Sequence, residues 1–221
     1  MAITAADVNN LRKQTGAGMM DCKNALVETD GDFEAAVDVL RKKGQKVAAK
    51  RGDNEAKEGV VFAQATTDGK TGVVLALNCE TDFVAKNDDF RNFVQSLVDI
   101  AIAKLPSSTD ELLSAAYNDK LTVNEKITEQ VGVVGEKLDL SGFAVIKAEK
   151  VVAYNHPGNQ LATLVGLNSG SDVADDAGKQ VAMQVAAMNP IALNKDGVDE
   201  RTIEREIEVG KDLAIQEGKP V

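Results

Sequence analysis

Tryptophan is missing altogether, and six Phe and two Tyr bring the aromatic share of the 221-residue chain to only 4%. The interior must therefore be assembled from Val, Ile, Leu, Ala and Met. Histidine is nearly as scarce: His156 is the only one, and neither Cys22 nor Cys79 stands in a context that marks a nucleophile. This leaves little for acid–base or covalent chemistry, so the chain reads as a non-enzyme. The two thiols fall in separate segments without metal-ligand spacing, which fits reduced cytoplasmic thiols and no zinc site. Long apolar runs are lacking too, and Met1–Gln14 has no charged start followed by a hydrophobic block. The expectation is a soluble, cytoplasmic protein with no membrane partner. No Gly-rich phosphate loop with a following Lys and Ser or Thr exists, and Asp82, Asp88 and Asp89 lack the spacing and glycine of a calcium loop. No cofactor and no metal of its own are expected.

What is present is a 43% apolar composition, enough to bury a sizeable core, and a net charge of −10. The charge is unevenly placed. Residues 1–58 carry ten bases and ten acids, leaving 15 bases against 25 acids for residues 59–221. Such a field repels phosphate backbones, which argues against direct nucleic-acid binding. The basic run Arg41–Arg51 is the one cationic cluster and reads as a solvated face.

The chain opens with Thr4 placed to cap a helix, Asp7 at the capping-box position, and Val8 spaced to staple Ile3. A helix over Ala5–Gln14 follows, then a corner at Gly16 and Gly18, then a second helix with Met19, Cys22, Ala25 and Leu26 on one face. After Asp30-Gly31-Asp32, the spacing of Phe33, Ala36, Val37 and Leu40 predicts a third helix that closes at Lys43-Gly44. Residues 1–45 are thus a small three-helix bundle similar to a ubiquitin-associated domain (UBA-like), and residues 46–59 a polar linker, partly helical at most. Met19 and Met20 point to different faces, so at least one is left for a partner.

Val60–Thr66 and Gly72–Cys79 alternate as strands about the turn signal Asp68-Gly69. A helix from Asp88 with the stripe Phe90, Phe93, Val94, Leu97, Ile100 and Ala101 follows, ending at Pro106. Shorter helices are expected over Asp110–Tyr117 and from the capping box Thr122/Glu125, then strands at Phe143–Ala148, Val151–Asn155 and Gln160–Leu167. A further helix spans Ser171–Met188, and a charged one runs from Asp199 to Glu217. The class is α+β: bundle, linker, a core of two repeated antiparallel β-hairpin/helix subdomains over 60–139 and 140–198, and a C-terminal helix over 199–221.

Between the first hairpin and its helix lies Asn78-Cys-Glu-Thr-Asp-Phe-Val-Ala-Lys-Asn-Asp-Asp-Phe90. Phe83 fits neither the period of the strand behind it nor that of the helix ahead. It either staples the start of the helix or is offered outward, and Asp82 beside the ring favours the second reading. The corresponding junction of the second repeat, Asn168-Ser169-Gly170-Ser171, has ordinary turn residues, so the architecture does not require a Phe there.

Thr81-Asp82-Phe83-Val84-Ala85-Lys86 resembles the signature loop of the bacterial translation elongation factor Ts family. Leu11-Arg12, Thr15-Gly16-Ala17-Gly18-Met19-Met20-Asp21-Cys22-Lys23 and Ala25-Leu26 resemble its amino-terminal signature. The resemblance implies a guanine-nucleotide exchange factor for elongation factor Tu, GDP-bound and nucleotide-free, in which Thr81, Asp82, Phe83 and Val84 disturb the partner's magnesium and phosphate site. It implies partner contacts at Arg12, Met19, Met20 and Lys23 in the bundle, and at His156 in the second repeat. A UBA-like adaptor without exchange activity is the alternative. Similar proteins continue past Val221, so the last helix reads as the start of a truncated dimerisation or coiled-coil region, leaving homodimer and heterotetramer open.

Overall fold

A computed structural model describes residues 3–218, the side chain of Asp172 apart. The outer ends of the first and last expected segments, residues 1–2 and 219–221, lie outside the described residues. Helix α1 (Ala5–Thr15) starts as its sequence dictates: the Thr4 hydroxyl accepts from the Asp7 N–H at 3.2 Å, and the Asp7 carboxylate accepts from the Thr4 N–H at 2.9 Å. With α2 (Met19–Glu28) it encloses Val8, Leu11, Cys22, Ala25 and Leu26, and Ala36 of α3 (Phe33–Arg51) completes this small core.

The third helix does not stop at Gly44. It runs on to Arg51, so the first residues assigned to a linker are helix. A mid-helix glycine costs about 1 kcal/mol, which is why the pattern reads as a stop. Here tertiary packing overrides it. Gly44 is buried against Gly132 of α7 (Val123–Val134): a Cβ on Gly132 would stand 2.7 Å from the Gly44 Cα, and one on Gly44 would stand 3.1 Å from the Thr128 carbonyl oxygen. Beyond this contact, Val47 and Ala48 pack onto the larger core.

That core lies between a three-stranded antiparallel sheet and α5 (Asp88–Lys104). Strands β1 (Glu58–Ala65) and β2 (Thr71–Cys79) pair about the Asp68-Gly69 turn, where Gly69 takes φ +68°. Helix α5 buries Phe90, Phe93, Val94, Leu97, Val98 and Ala101 against Val73, Leu75 and Leu77. Between α5 and α7, α6 (Thr109–Ser114) is shorter than expected: the chain turns back, and Ala116 bridges to Thr122. The α7 capping box forms, with the Glu125 carboxylate accepting from the Thr122 N–H at 2.8 Å.

The strand expected at 143–148 is β3 (Asp139–Lys147), and it pairs with β2, completing the first sheet in the order β1-β2-β3. It does not pair with the second hairpin. That hairpin, β4 (Lys150–Asn155) with β5 (Ala162–Leu167), is a separate two-stranded sheet followed by α8 (Asp172–Met188). Asn155 joins the two sheets. Its side chain accepts from the Ala63 N–H at 2.8 Å and donates to the Ala63 carbonyl at 2.9 Å, the pair of bonds a neighbouring strand would make. The architecture is therefore α+β, with hairpin, junction and helix occurring twice.

The chain divides into two compact units, residues 1–186 and 187–221. In the second, a short 3₁₀ turn (Lys195–Gly197) precedes α9 (Glu200–Gln216), which Asp199 caps by accepting from the Thr202 N–H at 2.9 Å. Ile203, Ile207 and Leu213 of α9 are exposed.

Candidate partner-binding site

Strand β2 delivers the chain to the junction at Cys79, which is buried. Burial, and after it the nearby Glu136 charge, pushes the Cys79 thiol up to about 11, so it stays a protonated donor to the Thr81 carbonyl at 3.2 Å. The next residues wind one helical turn, α4 (Asp82–Ala85). Ala85 is buried and Val84 packs against the core, which turns Phe83 the other way. The Phe83 ring is 82% exposed. It does not staple the start of α5, whose cap is made instead by the Asn87 side chain accepting from the Asp89 and Phe90 N–H groups.

Asp82 pairs with Lys86 at 2.7 Å, one turn along. That bond holds the Asp82 carboxyl below its ordinary range. The pair is exposed, so its ions can exchange partners at little cost. The far end of the turn is tied by Arg91, whose Nε donates to the Ala85 carbonyl at 3.2 Å.

Thr81 has the backbone of an N-cap, but its hydroxyl makes no cap bond. It donates to Glu136 at 2.6 Å, and the same carboxylate accepts from the Thr81 and Glu80 N–H groups at 3.0 and 3.1 Å. Glu80 accepts from the Lys137 N–H at 2.6 Å, from Arg51 at 2.8 and 3.0 Å, and from Asn54 at 3.0 Å. The Lys137 N–H above all, with Arg51 and Asn54, holds the Glu80 carboxyl low. Sequence reasoning missed Glu136 and Glu80. Glu136 lies 55 positions from Thr81, and no periodicity or motif spans that gap.

The other expected contact residues fall elsewhere in the first unit. Met19, Met20 and Lys23 line an open groove of about 570 Å³ with Ile3 and Val8, and both methionines are more than half exposed. Arg12 is exposed on α1 but does not line that groove. His156 sits in the β4–β5 turn, exposed, with Nδ1 2.9 Å from the Tyr154 hydroxyl. The structure thus gathers Thr81–Val84 on one turn and Met19, Met20 and Lys23 on one groove, with His156 at a third point. Among the described residues no group of three or more His, Cys, Asp or Glu could hold a metal ion, and no helix is long and apolar enough to cross a membrane.

Comparison with known proteins places the chain among the translation elongation factors. Residues 80–221 match the family described as Elongation factor TS. Proteins named Elongation factor Ts from Christiangramia forsetii and Flavobacterium psychrophilum are 54% and 52% identical over 99% of this chain and 78% of their own length. One from Cytophaga hutchinsonii is 50% identical over 99% of the chain and 79% of its length. The chain belongs to the elongation factor Ts family, and its role is that of a translation elongation factor.

Proposed function

We propose that this chain binds elongation factor Tu carrying GDP and speeds GDP release, so that GTP can refill the emptied site and expel the factor. It acts in the cytoplasm, without catalytic chemistry and without touching nucleic acid. The observation that carries the reading is the exposed Phe83 ring on a turn whose two ends are fixed. GDP is held through its phosphates and a magnesium ion whose coordination shell is partly water. Phe83 wedges between side chains of the partner beside that ion, and Asp82, released from Lys86, disturbs the polar shell around it. Thr81 and Val84 support the tip.

Burying one Phe side chain contributes roughly 1.5–3 kcal/mol, or one to two powers of ten. A larger loss of nucleotide affinity needs further contacts. The groove at Met19, Met20 and Lys23, the exposed Arg12 on α1, and the His156 turn supply them, with thioether chains adapting to the partner's surface. Coupling is reciprocal: a factor that weakens GDP is weakened by GDP to the same extent.

Stopped-flow release of fluorescent GDP from purified elongation factor Tu tests this. Asp82→Ala combined with Phe83→Ala slows the stimulated release by about one to two powers of ten with an unchanged melting temperature. Release at the unaltered rate would instead mean that the bundle docks a partner as an adaptor and the tip does nothing to nucleotide.

A further inference from the structure

The ladder between β2 and β3 ends at Asn78 opposite Asp139. Past that point the strands part, and the backbone N–H groups of Glu80, Thr81 and Lys137 lose their strand partners. Orphaned donors are costly, and a chain that satisfies them only with water is free to sway. Here two carboxylates replace the missing carbonyls, each serving the other's segment. Glu136 takes the Glu80 and Thr81 N–H groups and the Thr81 hydroxyl, while Glu80 takes the Lys137 N–H, next to Glu136. Glu80 also binds Arg51 through both its oxygens, so the last turn of α3 is tied into the same knot. Charge-assisted bonds of this kind are roughly twice as strong as neutral ones. Among the described residues no buried side-chain nitrogen or oxygen is left without a partner.

We infer that Glu136 is a positioning residue for nucleotide release: together with Glu80 it fixes the direction in which the Phe83 turn leaves the sheet, though Glu136 itself meets no partner. This rests on the exchange reading above. The ring is useful only if it arrives already aimed, because a swaying turn spends binding energy on its own ordering, and small misplacements of a working group are costly in rate. Thr81 marks the arrangement. Its hydroxyl would ordinarily cap the turn that follows, yet it is given to Glu136.

The test measures GDP release from elongation factor Tu at a series of concentrations of the full 221-residue chain. Glu136→Ala lowers the maximal rate about tenfold and leaves the concentration giving half of that rate within about twofold, because the groove and the His156 turn are untouched. Glu136→Gln, whose amide can still accept from the two N–H groups, recovers most of the rate. In a Phe83→Ala background Glu136→Ala has almost no further effect, since there is no ring left to aim. A normal rate for Glu136→Ala beside a slow Phe83→Ala overturns the positioning role alone, as does full additivity of the two changes. A normal rate for Phe83→Ala overturns the exchange reading itself, and the positioning role with it. Should Glu136→Ala fail to fold, Thr81→Val removes only the 2.6 Å hydroxyl bond, and a rate equal to the unaltered chain then counts against the proposal.

Discussion

The two hairpin–helix units solve the same topological problem with different materials. In the first, α5 sets Phe90, Phe93, Val94, Leu97 and Val98 into the sheet. In the second, α8 lies close to its hairpin through small residues: Ala174 and Ala182 are buried, and a Cβ on Gly178 would stand 2.6 Å from a Val152 methyl. The junctions differ in the same sense. The first is knotted by two carboxylates and throws out an aromatic ring. The second, Asn168–Ser171, holds no carboxylate and passes into α8 with the Ala174 N–H bonded to the Ser171 carbonyl at 2.8 Å. Rigidity and bulk are concentrated behind the turn that carries Phe83. This is the distribution the exchange proposal requires, in which the first turn works on a partner and its counterpart need only connect.

The sharpest way to break the comparison is in the packing. Leu97→Ala removes a fully buried side chain from the first core and lowers stability by about 2–5 kcal/mol in urea unfolding. Gly178→Ala forces a methyl against Val152 and Leu167 and costs about 1–3 kcal/mol, confined to the second hairpin in hydrogen exchange. If Gly178→Ala also loosened the β2 amides, the two units would share one core after all. Next comes the seam between the sheets. Asn155→Ala removes both bonds to Ala63, costs about 1–2 kcal/mol, and speeds exchange of the Ala63 amide while the β2–β3 amides keep their protection.

The smallest effect is electrostatic. The Glu80 carboxyl sits below its ordinary value of 4.5, so its contribution to stability is complete above that value and is lost as pH falls through the lower folded one. Replacing it by Gln flattens the acid limb of the stability curve. Ser169→Ala, in the second junction, leaves that limb unchanged.

Much of this was legible in the residues themselves. Both capping boxes, the α5 stripe and the misfit of Phe83 are local signals, set by neighbours three or four positions away, and each appears in the fold where the pattern puts it, except that Val98 is fully buried in the stripe while Ile100 is only half-buried. Contacts between distant segments were not legible. Gly44 looks like a stop because its partner, Gly132, is far along the chain. The residues at 143–148 look like part of a second sheet because alternation tells which face is buried and not which strand lies alongside. Glu136 and Glu80 look like two ordinary surface acids. Their meaning lies in each answering the backbone of the other's segment, a property of the pair that neither residue carries alone.

The meeting of Gly44 and Gly132 matters to anyone who would trade amino-terminal bundles between relatives. The bundle's handle is a helix whose seat admits no side chain, so a chimera spliced anywhere along 45–51 must bring a matching notch on both halves. A splice that keeps every exposed bundle residue but loses either glycine yields a head mounted at the wrong tilt.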